Sequence, residues 1–325
     1  MPSIHRRHFI GGLAASAALL ALPGYVSAQG TPPLRVIVPA SAGSGQDVMV
    51  RSAQYAMSKA LGRPVVIEDL PGSGGIIGTH QLVKAAPDGN TIAFVSNNHV
   101  VNPAVYKKMP YDSLKDITPI AILAETPFVL VVNPNRLPAG NARELVALLK
   151  AKPDHYNFAS SGNGTILHLA AEMFLDAAGL KARHIPYKGV GPMITDLIGG
   201  QVDFGVLAVP AVQPQLKAGA LRAVAATGAT RVPSLPNIPT LQEQGLNVTV
   251  GGWLAAIGPA GLATAQVKRL HDGIVAAWTS PEVKKAMAEQ ENILRPTTPE
   301  AAAALFAREQ ARYAELVRKA GVTLD

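Results

Sequence analysis

From Leu34 onward, short apolar runs alternate with longer stretches in which apolar residues recur every three or four positions. Alternation of this kind is the signature of βαβ units. It predicts strands at Leu34–Val38, Val65–Glu68, Thr91–Val95, Phe128–Val132, Tyr156–Ala159, Arg183–Pro186, Val202–Val206 and Leu221–Ala225. Helices are expected between them at Asp47–Ala60, Ile76–Ala85, Arg143–Ala151, Leu167–Ala177 and Gly191–Ile198. In the fourth of these, Leu167, Ala170, Ala171, Phe174 and Ala178 give one apolar face. Residues 264–320 read as helical almost throughout, with breaks near Ser280-Pro281 and between Pro296 and Pro299. In Thr298-Pro299-Glu300, threonine can cap a helix and proline can occupy its first position.

Two longer extended stretches stand out, Ile117 to Asn133 and Leu246 to Gly258, the second broken by Gly251-Gly252. One early and one late crossing is what a two-domain protein with a cleft needs. The chain builds part of one domain, crosses, builds the other, and returns. The expected division is 29–125 with 252–325 for domain 1, and 126–251 for domain 2.

Composition agrees with this picture. A chain of 325 residues exceeds what one core usually supports, and 48% hydrophobic with 16% charged residues suits packed domains. The first 28 residues belong to targeting rather than to the fold. Arg6-Arg7-His8-Phe9-Ile10 is a twin-arginine signature, an uncharged run follows from Gly11 to Leu22, and Val26-Ser27-Ala28 offers small residues for cleavage after Ala28. The apolar run is too short to span a bilayer and is broken by Pro23-Gly24. Export to the periplasm is therefore expected. Losing Arg6 and Arg7 lowers the formal net charge from +7 to +5. The lysines and arginines are scattered, so nucleic acid is not expected as a partner. With no cysteine at all, disulfides, thiol catalysis and thiolate metal sites are excluded.

Two loops carry the candidate chemistry. Pro39-Ala40-Ser41-Ala42-Gly43-Ser44-Gly45-Gln46-Asp47 follows the first strand and opens a helix. Its glycines leave backbone N–H groups exposed, and the helix N-terminus adds about half a positive charge, so the place suits an anion. It is not a dinucleotide fingerprint, since Val48 stands where a third glycine is needed, and it lacks the lysine of a phosphate loop. An ordinary turn with Asp47 as cap is the plain alternative. Ser160-Ser161-Gly162-Asn163-Gly164-Thr165 is a second loop of this kind, placed before the helix that carries His168. One loop in each domain, at carboxyl ends of strands, places the two on opposite sides of a cleft. Ser96-Asn97-Asn98-His99 is a third candidate wall.

Enzymatic constellations are poor. Neither a Gly-x-Ser-x-Gly elbow nor a His-Glu-x-x-His pair occurs. His168 and Glu172 lie one turn apart, but two ligands are too few for a metal site, and a packed or capping histidine explains them better. Asp196 and Asp203 have no obvious partner acid. Trp253 is expected to pack behind the late crossing, and Trp278 on the tail helices. No metal and no cofactor is expected, and no enzymatic activity.

The ordered set Ile37-Val38-Pro39, Asp47 through Arg51, Pro71-Gly-Ser-Gly-Gly75-Ile-Ile-Gly78, Pro87-Asp-Gly89, Ala159-Ser-Ser-Gly162, His168-Leu-Ala, Pro186-Tyr-Lys-Gly189, Asp196 through Asp203, Leu221-Arg-Ala, Arg231, Leu235-Pro and Pro239-Thr resembles the solute receptors of tripartite tricarboxylate transporters, the Bug receptors. The resemblance covers essentially the whole chain beyond the leader. It implies an α/β, two-domain type II periplasmic-binding-protein fold, a Venus flytrap with a double crossover hinge. It also implies a carboxylate held by backbone N–H groups, hydroxyls and bridging waters, with Asp203 a contact or cleft-shaping residue. Ala40 stands where the family usually has an aromatic residue and Gln46 where a small hydroxyl is common. Those departures point to a roomier, more apolar distal pocket, suited to an aromatic or alicyclic acid.

The expected ligand contacts are Ala40, Ser41, Gly43, Ser44, Gly45, Gln46, Asp47, Ser96, Asn97, Ser160, Ser161, Gly162, Asn163, Gly164, Thr165, His168 and Asp203. The expected protein is a monomeric receptor for a small organic acid that serves membrane permease subunits. A receptor reporting to a sensor kinase, or a periplasmic enzyme on the same fold, are the alternatives.

Overall fold

The computed structural model of the chain describes residues 31–153 and 155–320. The expected leader, with its twin arginines and cleavage site, lies outside the described residues.

The continuous apolar runs become strands covered on both faces, as expected for buried parallel or mixed sheets. One sheet has the order β11-β4-β10-β3-β1-β2. Its members are β1 (Leu34–Val38), β2 (Val65–Asp69), β3 (Thr91–Ser96), β4 (Ile117–Thr126), β10 (Gly252–Pro259) and β11 (Ile293–Leu294). β1 runs parallel to β2 and β3, whereas β10 is antiparallel to both β3 and β4. The second sheet has the order β7-β6-β8-β5-β9. It comprises β5 (Phe128–Val132), β6 (Asn157–Ser160), β7 (Arg183–Pro186), β8 (Phe204–Ala208) and β9 (Arg222–Ala226).

The chain therefore leaves the first sheet at Thr126, enters the second at Phe128 past Pro127, and returns with Gly252. The stretch 117–133, read as one extended segment, is two strands in different sheets. The stretch 246–258 is a strand only from Gly252. Its earlier part, with Val248 and Val250 buried in the second core, is tied by single bonds between Val250 and Thr227.

Helices α1 (Gly45–Leu61), α2 (Ile76–Val83), α4 (Ala142–Ala151), α5 (Ile166–Ala178) and α6 (Val190–Ile198) fall where the periodicity put them. Two helices were not anticipated: α3 (Asn98–Val105), which contains Pro103, and α7 (Val209–Lys217), which contains Pro210 and Pro214. The tail forms α8 (Thr264–Trp278), α9 (Pro281–Glu289) and α10 (Pro299–Ala320). One face of the first sheet packs on α1 and α8, where the fully buried Trp278 stacks on Phe94 at 5.8 Å. The other face packs on α3 and α10 through Val100, Val101, Phe306 and Tyr313. The second core gathers Phe158, Phe174, Leu197 and Phe204.

Helix α10 does more than close the first domain. It also touches α5 of the second, with Lys319 placed 3.7 Å from Asp176 and Arg312 donating to the Thr249 carbonyl. A second tie across the domains joins the Gln213 amide on α7 to the Glu291 carboxylate.

Close backbone approach fixes the first site loop. A Cβ on Gly78 would lie 2.7 Å from the Leu70 carbonyl and 3.0 Å from Pro39 Cα, both backbone atoms that cannot swing aside. Gly78→Ala is expected to cost about 1–3 kcal/mol in urea unfolding, the usual range for overpacking. An unchanged midpoint would show that the approach is looser than the geometry indicates.

Candidate functional site

The first loop bridges β1 and α1. Ser44 caps the helix, its hydroxyl accepting from the Asp47 N–H at 3.3 Å. The Asp47 carboxylate turns back to accept the Gly43 N–H at 2.7 Å and lies 2.5 Å from Arg51. Arg51 in turn pairs with Asp69 at the end of β2. The N–H groups of Ser41, Ala42, Gly45 and Gln46 have no hydrogen-bond partner among the described residues. Gln46 donates its amide to the Phe94 carbonyl at 2.6 Å, which leaves its side-chain oxygen as a free acceptor. Ala40 is half-buried against the first core, so its small side chain does not by itself open a distal pocket.

The same wall has two further parts. A left-handed turn at Gly72–Gly75, in which even Ser73 has φ of 46°, brings Gly74 to the Asn102 amide at 3.0 Å. The start of α3 adds Ser96 and Asn98. These groups, with Pro39, Gln46 and His99, surround a cavity of about 10 Å³, room for roughly one water molecule.

The second loop is built on the same plan. Thr165 caps α5 by accepting from the His168 N–H at 3.3 Å and donates to the Gly162 carbonyl at 2.9 Å. The N–H groups of Ser161, Asn163, Ile166 and Leu167 have no partner among the described residues. The stretch after β7 closes the loop's flank, with Tyr187 donating to the Ser160 carbonyl and Gly189 to that of Ser161, at 3.0 and 3.2 Å. Gly164 has φ of 70°, and a Cβ there would lie 2.6 Å from Val105 of α3. That contact sets the second loop beside the first wall. Leu169, fully buried among Ile37, Val95 and Val105, does the same one turn further along α5.

Beneath the second loop lies a pair of stacked imidazoles. His168 and His184 are 3.7 Å apart and 8° from parallel, with Phe158 on the flank of both. Nδ1 of His168 accepts the Gly164 N–H at 3.2 Å, and Nε2 lies 3.5 Å from Glu172. His184 Nε2 meets the Ser160 hydroxyl at 2.6 Å, and that oxygen also accepts the Gly162 N–H at 3.2 Å. Burial, and then the neighbouring His168, push the His184 pKa down to about 4. The loop therefore rests on a stacked pair of rings, of which His184 is held against protonation.

Several of the expected contacts turn inward in the structure. Ser160 is fully buried, and His168 is 3% exposed with its ring engaged. Asn97, 2% exposed, accepts from the Trp253 N–H at 2.9 Å and donates to the Gly251 carbonyl at 3.1 Å and to Tyr313 Oη at 3.4 Å. It pins the late crossing instead of facing the cleft. Asp203 precedes β8, at the end remote from the loop, where it accepts the Asn157 N–H at 2.8 Å and pairs with Arg136 at 3.4 Å. The Asp47 carboxylate, as above, is spent on its own loop. What remains open is Ser41, Gly43, Ser44, Gly45, Gln46 and Ser96 on one side and Ser161, Gly162, Asn163 and Thr165 on the other. The additions from the structure are Gly74, Asn98 and Tyr187 to Gly189. The glycine-rich run at 71–75 was the signal for the first of these.

Chemically, two capped helix N-termini from different sheets present unpaired N–H groups and hydroxyls, and the Arg51 guanidinium beside the first loop is already engaged by Asp47 and Asp69. Such an arrangement stabilises negative charge through oriented dipoles. Among the described residues no group of three or more His, Cys, Asp or Glu could hold a metal ion.

Over residues 49–322 the chain matches the family described as "Tripartite tricarboxylate transporter family receptor". It is 33% identical over 316 residues to Protein BugT of Bordetella pertussis (strain Tohama I), which spans 96% of this chain and 97% of that one. Its fold is similar to that of the periplasmic binding protein BugD, with a TM-score of 0.76 and 32% identity over 90% of this chain and 99% of that one. It is likewise similar to Rpa4515 of R. palustris, solved with adipate, with a TM-score of 0.79 and 29% identity over 90% and 99% of the two chains. The fold is that of two-domain periplasmic binding proteins.

Proposed function

Since this chain belongs to the tripartite tricarboxylate transporter receptor family, we propose that it is an exported receptor that closes on a small organic carboxylate and delivers it to membrane permease subunits. The observation that carries this reading is the pair of helix N-termini, α1 and α5, one in each lobe, each with free N–H groups beside a hydroxyl cap. Closure brings both dipoles onto one anion. Each contact is gained only in the closed state, which is how a ligand shifts a hinge equilibrium. The family description and the adipate bound to Rpa4515 support a carboxylate as the anion. The reading as a binding site rests on the hydroxyls of Ser44 and Thr165 serving as helix caps, with that of Ser161 donating to Thr165, and on neither histidine meeting an open hydroxyl of the site.

A thermal-shift panel of organic acids tests the reading. Ligand at about a hundred times its Kd adds roughly 2.7 kcal/mol and raises the melting temperature by several degrees. A shift with an acid, none with its amide, and recovery of the acid unchanged are expected. For the best acid, Ser161→Ala is expected to weaken binding about 10- to 100-fold by calorimetry, the range for one hydrogen bond to a charged group. Wild-type affinity in that variant would remove the second loop from the site.

A further inference from the structure

A cavity of about 190 Å³ lies outside the cleft, at the hinge, between the two crossings at Thr126-Pro127 and Gly251-Gly252, β11 and the strap helix α10. None of the cleft loop residues lines it. An apolar cavity of about 150 Å³ is large enough to hold benzene, so a substituted ring fits here. Trp253, Ile122 and Leu305 supply apolar wall, and Trp253 is itself braced by Phe306 at 5.2 Å.

The polar groups of this cavity are unevenly satisfied. Trp253, 7% exposed, presents ring edge to the cavity, while its indole Nε1 is sealed away from it and has no hydrogen-bond partner among the described residues. Among the described residues Arg295 forms no side-chain hydrogen bond and only a loose 3.4 Å pair with Glu125, which leaves most of its five N–H donors unused there. The other carboxylate in the lining, Glu309, already faces Arg312 at 3.6 Å. The surplus is of donors, and guanidinium is the side chain best matched to a planar carboxylate.

We propose that this hinge cavity is a second small-molecule site, separate from the cleft, that takes a ring-sized apolar molecule bearing a carboxylate. Its ring lies against Trp253 and its carboxylate takes the free donors of Arg295.

Benzoate is the probe and benzamide its neutral twin. The whole mature protein is labelled with 5-fluorotryptophan, and its two resonances are assigned with Trp253→Phe. Benzoate is expected to move the Trp253 resonance saturably, and benzamide to move it far less. Arg295→Gln, at a half-exposed position, is expected to weaken the benzoate response about tenfold. Ser161→Ala, in the cleft loop, is expected to leave it unchanged. No movement at millimolar benzoate overturns the proposal. So does a response that vanishes in Ser161→Ala, because the indole would then be reporting cleft occupancy. The receptor reading stands under the first outcome and gains support from the second.

Discussion

Asn97→Ala is expected to lower the melting temperature by roughly 5–10 °C, although it removes only a small amide from the edge of the cleft. The side chain is 2% exposed and holds the Trp253 N–H and the Gly251 carbonyl, both on the returning crossing. Deletion leaves these two buried groups unpaired, each costing about 1–3 kcal/mol. A total near 3 kcal/mol is then reasonable, and each kcal/mol moves the midpoint by about 2–4 °C in chains approaching this size. Asn98→Ala is the control, since the adjacent residue has no side-chain partner and belongs among substitutions worth about half a kcal/mol or less. Thermal unfolding followed by circular dichroism separates the two. If Asn97→Ala melts no lower than Asn98→Ala, the late crossing is held by something other than this amide.

Acid is expected to destabilise the protein in a window above the usual carboxylate range. His99 is wholly buried, donates from Nε2 to the Ser113 carbonyl at 2.8 Å, and has no partner at Nδ1. Burial pushes its pKa down to about 4, and that of His184 falls to about 4 for the reasons given above. In the unfolded chain both titrate near 6.5. Between these values the unfolded state binds more protons than the folded state, so stability rises with pH there. It is fully present above about 6.5, falls as pH drops, and stops falling on this account near 4. Each proton contributes at most about 1.4 kcal/mol per pH unit, and less for His184, which is only half-buried. Urea unfolding at several pH values between 7 and 4 measures the slope. His184→Gln should flatten it in part and His99→Gln in part. A midpoint that does not move between pH 6.5 and 5 would mean that both rings are charged in the folded protein.

Most of the strands could be read from the sequence because each is a short apolar run bounded by Gly, Pro or polar residues, and β5 and β10 are buried at every position. Helix α3 was hidden because it opens on Asn97-Asn98 and contains Pro103, all helix-averse by local rules. Helix α7 was hidden because Pro210 and Pro214 mask a nine-residue segment that tertiary packing of Val209 and Val212 maintains. The alternation of Asn247-Val248-Thr249-Val250 imitates a strand, but among the described residues its only ladder-like partner is Thr227.

The placing of both candidate loops between a strand and a helix was legible from their glycines and hydroxyls. The inward turn of Asn97 and Asp203 was not. Their partners lie 154 to 216 residues away for Asn97, and 46 and 67 for Asp203, beyond the reach of any local pattern. A polar residue at the end of a strand reads the same whether it serves a ligand or the protein's own backbone.

The place of β10 also governs the order in which the molecule can be assembled during synthesis. It sits between β3 and β4, so the first sheet lacks its middle strand until residues 252–259 have been made. All five strands of the second sheet lie within residues 128–226 and are available earlier. The lobe begun first is thus finished last, and in the interval β3 and β4 both carry open edges of the kind that pair with other chains. A nascent copy of this protein is a half-built sheet with a completed lobe attached, which is the form that chaperones must keep apart.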